Sequence, residues 1–295
     1  MSDRVRIMSK YGLSSLKRDF PTDAVCLDFI FDSLHSRECS CGGTYRRISG
    51  RKQYQCSKCR FQIAPTAGTI FHKSDTPLSL WFHALWVFSN AKSGISAKEM
   101  ERQLEVTYKT AWRMLKLIRE SLGKQTPKKL SGVVEVDSTY MGGKGDGGKD
   151  NMHQSRNIRA KSPVIGAVQR NGEVRTKVVP DIGADTHGRF LRENVEEEGT
   201  ALMTDATKTL DNVAIGYERY MVNHSKKEWA RGPIYINTIE AYWAHVKRSL
   251  RGTYKVVSKR HLQGYLDAYS FHWNNRHSDS QRFSALLGTV LLSKV

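Results

Sequence analysis

Four of the five cysteines stand in two close pairs, Cys39-Ser-Cys41 and Cys56-Ser-Lys-Cys59. Paired thiolates at this spacing are typical of a tetrahedral zinc site, and Gly42 and Gly43 suit the sharp turn after the first pair. Four protein ligands leave no open position, so we expect a structural Zn2+ whose binding supplies the folding energy of a zinc ribbon over residues 39–73. Four reduced thiols packed in small cores remain the alternative, because spacing alone does not prove a metal site.

Three acidic residues are the candidates for a second metal site. Asp137 lies near the end of the predicted strand VVEVDSTYM, Asp205 ends the predicted strand TALMTD, and Glu240 lies in the first turn of a predicted helix. If the two strands are neighbours in one sheet, their aspartates lie side by side, and a helix packed across them supplies the third carboxylate. Such oxygen ligands suit Mg2+ or Mn2+, and two ions held together promote phosphodiester hydrolysis.

The helix that begins at Thr238 separates its residues by face. Glu240 and Lys247 share one stripe, because their spacing repeats the helical turn, so Lys247 is placed to bind a DNA phosphate beside the metals. Asn237, one turn before Glu240, remains an alternative third ligand. Glu135 is expected to be an ordinary surface acid. The buried stripe is predicted to comprise Ile239, Tyr242, Trp243, Val246 and Leu250.

The elements that carry these acids predict a ribonuclease-H-like α/β domain over residues 132–295. Strands are expected at 133–141, 162–169 and 173–179, the last two joined at Asn171-Gly172, a strong hairpin signal. A helix at 185–197, strands at 200–205 and 217–223, and helices at 238–251 and 258–275 follow. This order is that of a mixed five-stranded sheet flanked by helices. The Gly- and Lys-rich stretch 142–161 is expected to be a long loop.

The N-terminal part is expected to bind DNA. Residues 1–38 are interpreted as a polar arm and a helix, 74–122 as a helix-turn-helix region and 123–131 as a linker. Ser96 and Glu99 have the spacing of a capping box, and a tight break precedes a second helix that starts near Thr107. That helix is expected to expose Tyr108, Lys109, Arg113 and Lys116 opposite Trp112 and Leu115. A solvated helix in a bundle is the competing interpretation.

The charge distribution supports a nucleic-acid partner. The net charge is +18, and residues 1–131 carry +12 of it. Such an excess favours a polyanion, although a soluble basic enzyme would also fit. The residues expected to contact double-stranded DNA are Arg46, Arg47, Arg51, Lys52, Lys58 and Arg60 in the ribbon, Tyr108, Lys109, Arg113 and Lys116 on the second helix, and Lys247 and Arg248 beside the acids.

No signal peptide or membrane span is predicted, because the N-terminus is polar and no run of 18 apolar residues occurs. We therefore expect a cytoplasmic protein, associated with the nucleoid when bound to DNA, or a nuclear protein in a eukaryotic host.

Several segments together resemble the Merlin-type DDE transposases and their bacterial insertion-sequence relatives. They are CRFQIAPTAGTIFHKSDTPLSLWF, GISAKEMERQLEVTYKTAWRMLKLIR, VEVDSTYMGGK, VNHSKKEW and NTIEAYWAHVKRSL, and the resemblance runs from about Cys39 to Arg276. It implies Asp137, Asp205 and Glu240 as metal ligands, with Lys247 as the basic residue after the third acid. Ser138 and the run Ala206-Thr207-Lys208 depart from the family's usual residues, but every carboxylate is retained.

The resemblance implies a transposase that binds terminal inverted repeats, cuts the element ends and joins the 3′-OH to target DNA. A dimer or larger complex is expected, because two ends must be held together. Two other classes stay open: a transposase-derived DNA-binding regulator without catalysis, and a metal-dependent nuclease of repair or RNA turnover.

Overall fold

The computed structural model describes residues 11–125, 128–142, 161–277 and 280–293. They form two compact units: unit 1 contains the described residues up to Gln125 and those from Asn275 onward, and unit 2 contains those between. The predicted loop over 142–161 falls almost wholly outside the described residues, as does the first half of the predicted N-terminal arm. Within the described ranges, no helix is long and apolar enough to cross a membrane.

Unit 1 combines a small sheet with helices. The strands β1 (Tyr45–Arg47), β2 (Tyr54–Cys56) and β3 (Gln62–Ile63) form an antiparallel sheet in the order β1-β2-β3. The helices are α1 (Leu13–Asp19), α2 (Asp23–Leu34), α3 (Leu78–Asn90), α4 (Ala97–Leu104), α5 (Tyr108–Leu122) and α9 (Arg282–Leu292).

Helix α2 packs on this sheet through aromatic rings. Phe31 stacks on Tyr54 with ring centroids 4.0 Å apart, and both side chains are fully buried. Cys26 is also fully buried in α2. Helix α1 corrects part of the expected polar arm, because residues 13–19 are helical and Leu16 is buried.

The break between α4 and α5 is confirmed. The Ser96 hydroxyl accepts from the Glu99 N–H at 3.1 Å, and the Thr107 hydroxyl accepts from the Thr110 N–H at 3.3 Å, so each helix begins at a side-chain cap. Glu105 between them has φ of 54°, in the left-handed region that ends a helix sharply. The reciprocal half of the capping box does not form, because the Glu99 carboxylate accepts from Gln103 instead.

Helix α9 corrects the predicted C-terminal boundary. The sequence analysis assigns all residues to 295 to the C-terminal domain, but α9 packs into unit 1, where Phe283 stacks on Tyr11 with centroids 5.1 Å apart. Arg282 is buried and donates to the Ser89 carbonyl at 3.3 Å. The apolar stripe of α9 fits either hydrophobic core by composition, so only its long-range contacts decide which core it joins.

Unit 2 has the predicted mixed sheet of five strands flanked by helices. Its order is β6-β5-β4-β7-β8, with β4, β5 and β6 antiparallel and with β7 parallel to both β4 and β8. The sheet strands are β4 (Val133–Met141), β5 (Ser162–Gln169), β6 (Val174–Val178), β7 (Ala201–Asp205) and β8 (Glu218–Val222). The helices are α6 (Ala184–Asn194), α7 (Asn237–Ser249) and α8 (Lys259–Asn274).

Helices cover both faces of this sheet. Helix α6 packs on one face, where Val134 and Val136 are buried, and α7 and α8 pack on the other. Trp243 of α7 lies directly over Gly166 of β5: a Cβ at Gly166 would meet its ring at 2.4 Å, so only glycine allows this approach. The five residues of the predicted buried stripe on α7 are all buried.

The described part of unit 2 contains two β-hairpins, one predicted and one not. The predicted hairpin between β5 and β6 is confirmed, with Asn171 at φ of 61°. A short hairpin of β9 (Ala230–Arg231) and β10 (Ile234–Tyr235), just before α7, was not predicted, because two-residue strands leave no periodic signal.

Candidate functional site

The two aspartates lie on neighbouring parallel strands. Glu135 of β4 pairs with Met203 of β7, and the same register continued by two residues sets Asp137 beside Asp205. β7 ends at Asp205, as predicted. The expectation that Asp137 lies near the end of its strand is corrected, because β4 runs on to Met141 by pairing with β5 after its pairing with β7 has stopped. Asp137 therefore lies in the middle of β4, where its neighbour strand ends.

The charges of Glu240 and Lys247 both act on the pKa of Asp137. Removal from water, together with the negative charges of Asp205 and Glu240, raises the pKa of Asp137 to about 6. The Ser138 backbone N–H and the charge of Lys247 act in the opposite direction. A carboxyl group with a raised pKa beside two other carboxylates indicates a site that favours added positive charge.

Lys247 reaches back to the strand that carries Asp137. Its Nζ donates to the Thr139 hydroxyl at 2.5 Å, and Thr139 follows Asp137 by two residues on the same face of β4. Removal from water lowers the pKa of Lys247, while the nearby charge of Asp137 raises it. The predicted alignment of Glu240 and Lys247 along one side of α7 therefore places both beside β4.

The three carboxylates are more widely spaced than the ligands of a single closed metal site. Among the described residues, only the four paired cysteines form a group of three or more metal-binding side chains whose ligand atoms all lie within 4.8 Å of one another. Carboxylates that share a pair of ions need not all touch one another, since the ions themselves lie about 3.5–4 Å apart.

Arg219 of β8 holds the chain that follows Asp205. This side chain is 10% exposed, and it donates to the Asp205 carbonyl at 3.3 Å, to the Thr207 carbonyl at 3.1 Å and to the Thr204 hydroxyl at 3.0 Å. A carboxylate of Asp211 accepts from its remaining nitrogen at 2.8 Å. The end of β7 is thus fixed by a charged group that the sequence analysis did not single out.

Glu135 contradicts its expected role as a surface acid. Its side chain is fully buried, and it forms an ion pair with Arg170 at 2.7 Å. The sequence carried a usable signal: Glu135 shares a strand face with Asp137, and a charged residue in a strand covered on both faces is buried and must find partners.

His224 and Trp229 border Glu240. The imidazole Nδ1 of His224 lies 3.7 Å from Oε1 of Glu240, and its ring packs against Trp229 with centroids 4.7 Å apart. Trp229 is 57% exposed. Both residues come from the segment VNHSKKEW, so this segment lines one side of the third carboxylate.

The four cysteines converge as predicted. The Sγ atoms of Cys39 and Cys59 lie 3.7 Å apart, and those of Cys41 and Cys56 lie 3.4 Å apart. Four thiolates at the Zn–S bond length of about 2.3 Å would lie roughly 3.8 Å from one another in a tetrahedron, so the cluster fits Zn2+. Hydrogen bonds from the Cys41 backbone N–H and the Tyr45 hydroxyl lower the pKa of Cys39 to about 6, which favours a thiolate at this position.

Gly42 and Gly43 have the roles that the sequence suggests. Gly42 has φ of 74°, in the left-handed region. A Cβ at Gly43 would lie 2.5 Å from the Cys56 sulfur, so a side chain there would displace a ligand.

The basic residues of the ribbon are mostly at the surface. Lys52 is engaged, donating to the Ser74 carbonyl at 3.0 Å, and Arg47 lies 4.0 Å from Asp28. Six exposed basic residues make up this surface, which we call the ribbon patch: Arg46, Arg47, Arg51, Lys52, Lys58 and Arg60.

Helix α5 exposes a broader surface than predicted. Tyr108 is 52% exposed and Trp112 is 38% exposed, so the expectation that Trp112 belongs to the inner side is wrong. The buried stripe contains Ala111, Met114, Leu115 and Ile118. Position 112 is turned about 100° from position 111, which brings its ring to the surface. The Lys116 ammonium lies 5.7 Å from the Trp112 ring centroid, and Lys109 and Arg113 are exposed beside it.

Residues 129–274, which carry the carboxylates, match the model of the ISXO2-like transposase domain. The chain therefore contains a transposase domain that belongs to the DDE transposase family. Over 240 residues it is 26% identical to an uncharacterised protein of the transposable element ISH50 from Halobacterium salinarum, an alignment that covers 77% of this chain and 79% of that protein.

Two solved structures are also similar in part. One is a pre-cleavage Mos1 transpososome, with a TM-score of 0.28 and 12% identity, and the other is the Mos1 strand transfer complex, with a TM-score of 0.29 and 13% identity. Each match covers 70% of this chain and 77% of the other chain. The family assignment rests on the domain match and the insertion-sequence relative.

Proposed function

We propose that this transposase binds the terminal inverted repeats of its element, cleaves the ends by metal-dependent hydrolysis and joins the 3′-OH ends to target DNA. The observation that carries the proposal is the register of β4 and β7, which sets Asp137 beside Asp205 while Glu240 faces Asp137 from α7. The strand order β6-β5-β4-β7-β8, antiparallel on one side of β4 and parallel on the other, supports a ribonuclease-H-like catalytic domain.

Asp137, Asp205 and Glu240 fit divalent ions by the chemistry of their donors. Carboxylate oxygens are the ligands that Mg2+ and Mn2+ prefer. Two such ions, when bound, would activate water and stabilise the leaving oxygen of a phosphodiester. The raised pKa of Asp137 means that this group must lose a proton before it binds an ion. Lys247, held beside Asp137 by Thr139, is placed to bind a DNA phosphate.

Unit 1 is proposed to read the DNA. The zinc ribbon, with Zn2+ at Cys39, Cys41, Cys56 and Cys59, presents the ribbon patch, and α5 presents Tyr108, Lys109, Arg113 and Lys116 together with Trp112. Exposed basic and aromatic side chains on the second of two helices joined by a tight turn suit the major groove. Holding two ends at once requires at least a dimer on DNA.

Asp205→Asn separates the two proposed activities. In an assay with duplex DNA that carries the element end, cleavage should fall on the order of 10^3-fold or more, because a ligand shared by both reaction steps is lost. Binding of the same DNA should stay within about twofold, because unit 1 is unchanged. Comparing Glu240→Gln with Asn237→Ala in the same assay tests the third ligand: near-normal cleavage by the first and loss by the second would assign that role to Asn237.

The wild-type protein decides between the classes. Sequence-specific protection of the ends without cleavage in Mg2+ or Mn2+ would favour a DNA-binding regulator. Cleavage without preference for the element ends would favour a nuclease of repair or RNA turnover.

A further inference from the structure

Glu135 places a charged group inside the sheet, two residues before Asp137 on the same strand face. It is fully buried, although an ionised carboxylate loses much of its hydration in such a position. A buried ion pair is weak support for stability, since an apolar pair of similar volume often does as well.

The Glu135 carboxylate binds the first turn of α7. One oxygen accepts from the backbone N–H of Thr238 at 2.8 Å and from that of Ile239 at 3.0 Å, and the other accepts from the Thr238 hydroxyl at 2.9 Å. These N–H groups are among those that a helix cannot satisfy internally, and a negative charge is favourable at this end of the helix. The carboxylate thus caps α7 from a strand about 100 residues earlier in the chain.

Arg170 extends the same hold to the segment that leads into α7. Its Nε donates to Glu135 at 2.7 Å, and its terminal nitrogens donate to the carbonyls of Pro233 at 2.8 Å and Tyr235 at 2.7 Å. The guanidinium also lies over the Tyr235 ring at 3.6 Å. The entry to α7 is therefore tied to β4 and to the end of β5 by one charged network.

These contacts fix α7 on either side of Asp137. Glu135 holds the helix two residues before Asp137 on β4, and Thr139 binds Lys247 two residues after it. Glu240 follows Ile239 directly in the first turn of α7. A shift of that turn along β4 would therefore change the separation between the carboxylates of Glu240 and Asp137.

We propose that Glu135 is a positioning residue that sets Glu240 against Asp137 by capping α7. The inference rests on the proposed function, because it gives Glu240 a metal to bind. Residues that orient ligands without binding the ion typically change metal affinity by about 10- to 100-fold when they are replaced. Since Glu135 acts through the helix backbone, the lower end of that range applies.

Binding of Mn2+ to the full-length protein without DNA, followed by electron paramagnetic resonance, measures this directly. Glu135→Gln should weaken Mn2+ binding about tenfold. Glu135→Asp keeps the charge but shortens the reach to α7, so it should be impaired to a similar degree. The matched control is Asp267→Asn, which neutralises another largely buried carboxylate of unit 2, on α8, whose bonded partner Gln263 is on its own helix.

If Glu135→Gln fails to fold, substitutions of Thr238 test the same cap and leave the ion pair between Glu135 and Arg170 intact. Thr238→Val removes one hydroxyl bond to Glu135 and should weaken Mn2+ binding about threefold, whereas Thr238→Ser should restore it. DNA-end binding should stay unchanged in all these variants.

The outcomes separate the two levels of the proposal. If Glu135→Gln and Thr238→Val bind Mn2+ as well as Asp267→Asn does, while Asp205→Asn binds it poorly, Glu135 has no positioning role and the metal site stands. Loss in Glu135→Gln with normal binding by both Glu135→Asp and Thr238→Val would show a simple charge effect and overturn the inference. If substitutions of Asp137, Asp205 and Glu240 leave Mn2+ binding equal to that of the wild-type protein, both proposals are overturned.

Discussion

The cysteine cluster and the carboxylate cluster are two candidate metal sites built in opposite ways. The four thiols come from 21 consecutive residues, and their sulfurs already lie 3.4–3.7 Å apart in pairs. The carboxylates come from β4, β7 and α7, and none of these elements is next to another in the sequence. The first site is closed by local turns, whereas the second depends on strand register and on how a distant helix is held.

Because the two sites are built differently, the loss of a ligand should affect them differently. The ribbon strands have two or three residues each, so the metal is expected to supply much of their stability. The sheet of unit 2 has hydrophobic cores on both faces, and its fold does not depend on an ion in the same way. Loss of a cysteine should therefore unfold the ribbon, whereas loss of a carboxylate should abolish metal binding and leave unit 2 folded.

The largest expected effect on DNA binding is that of Cys56→Ser. Because Cys56 is fully buried beside Cys41, its loss should release zinc and unfold the ribbon, and binding of the DNA end should fall about 100-fold or more. Zinc content by elemental analysis and DNA binding by gel shift measure this. Mn2+ binding by unit 2 should be retained. Cys26→Ser is the matched control, since Cys26 is equally buried but outside the cluster; zinc loss in that variant as well would contradict a four-cysteine site.

Asp137→Asn should stabilise the protein when no divalent ion is bound at the carboxylates. The pKa of Asp137 is raised from 3.8 to about 6, so its ionised form costs stability at pH 7, and that cost disappears as the pH falls through 6 toward 4. The gain in the free energy of unfolding should be about 2 kcal/mol at pH 7.5, allowing for partial exposure, and close to zero at pH 4.

Urea unfolding at the two pH values, without added magnesium or manganese, tests this sign. Asp211→Asn serves as the comparison, because it removes a half-exposed partner of Arg219 and should give no gain. An equal gain from Asp137→Asn at both pH values would show that titration of this carboxyl is not the cause.

The smallest expected effect on cleavage is that of Lys247→Ala. It removes the proposed DNA phosphate contact but none of the proposed ligands, so cleavage should fall about fivefold and its dependence on salt should weaken. Mn2+ binding without DNA should persist, because Glu135 still caps the first turn of α7, which carries Glu240. Lys177→Ala, which removes an exposed lysine paired with Glu193 at the sheet edge, is the control. If Lys247→Ala abolishes cleavage as fully as Asp205→Asn does, the division between ligands and DNA contacts is wrong.

Sequence reasoning was most reliable where the signal is local. It located β4 and β5 at their observed bounds, the turn at Asn171, the cap at Ser96 and the start of the second helix near Thr107, because strand alternation and capping chemistry act over a few residues. It failed for Trp112, one position from a buried stripe, and for α9, whose apolar stripe does not reveal its partner.

The candidate metal ligands and the order of the elements that carry them can be read from the sequence alone. The pairing of cysteines, the two strands that carry Asp137 and Asp205, and the shared side of Glu240 and Lys247 on α7 all follow from spacing. How these residues are held depends on contacts made in the folded chain: β4 runs past the end of β7, Glu135 is buried as the cap of α7, and Arg219 fixes the end of β7. These contacts join residues far apart in the chain, and the free energy of burying a charge depends on partners that no local pattern specifies.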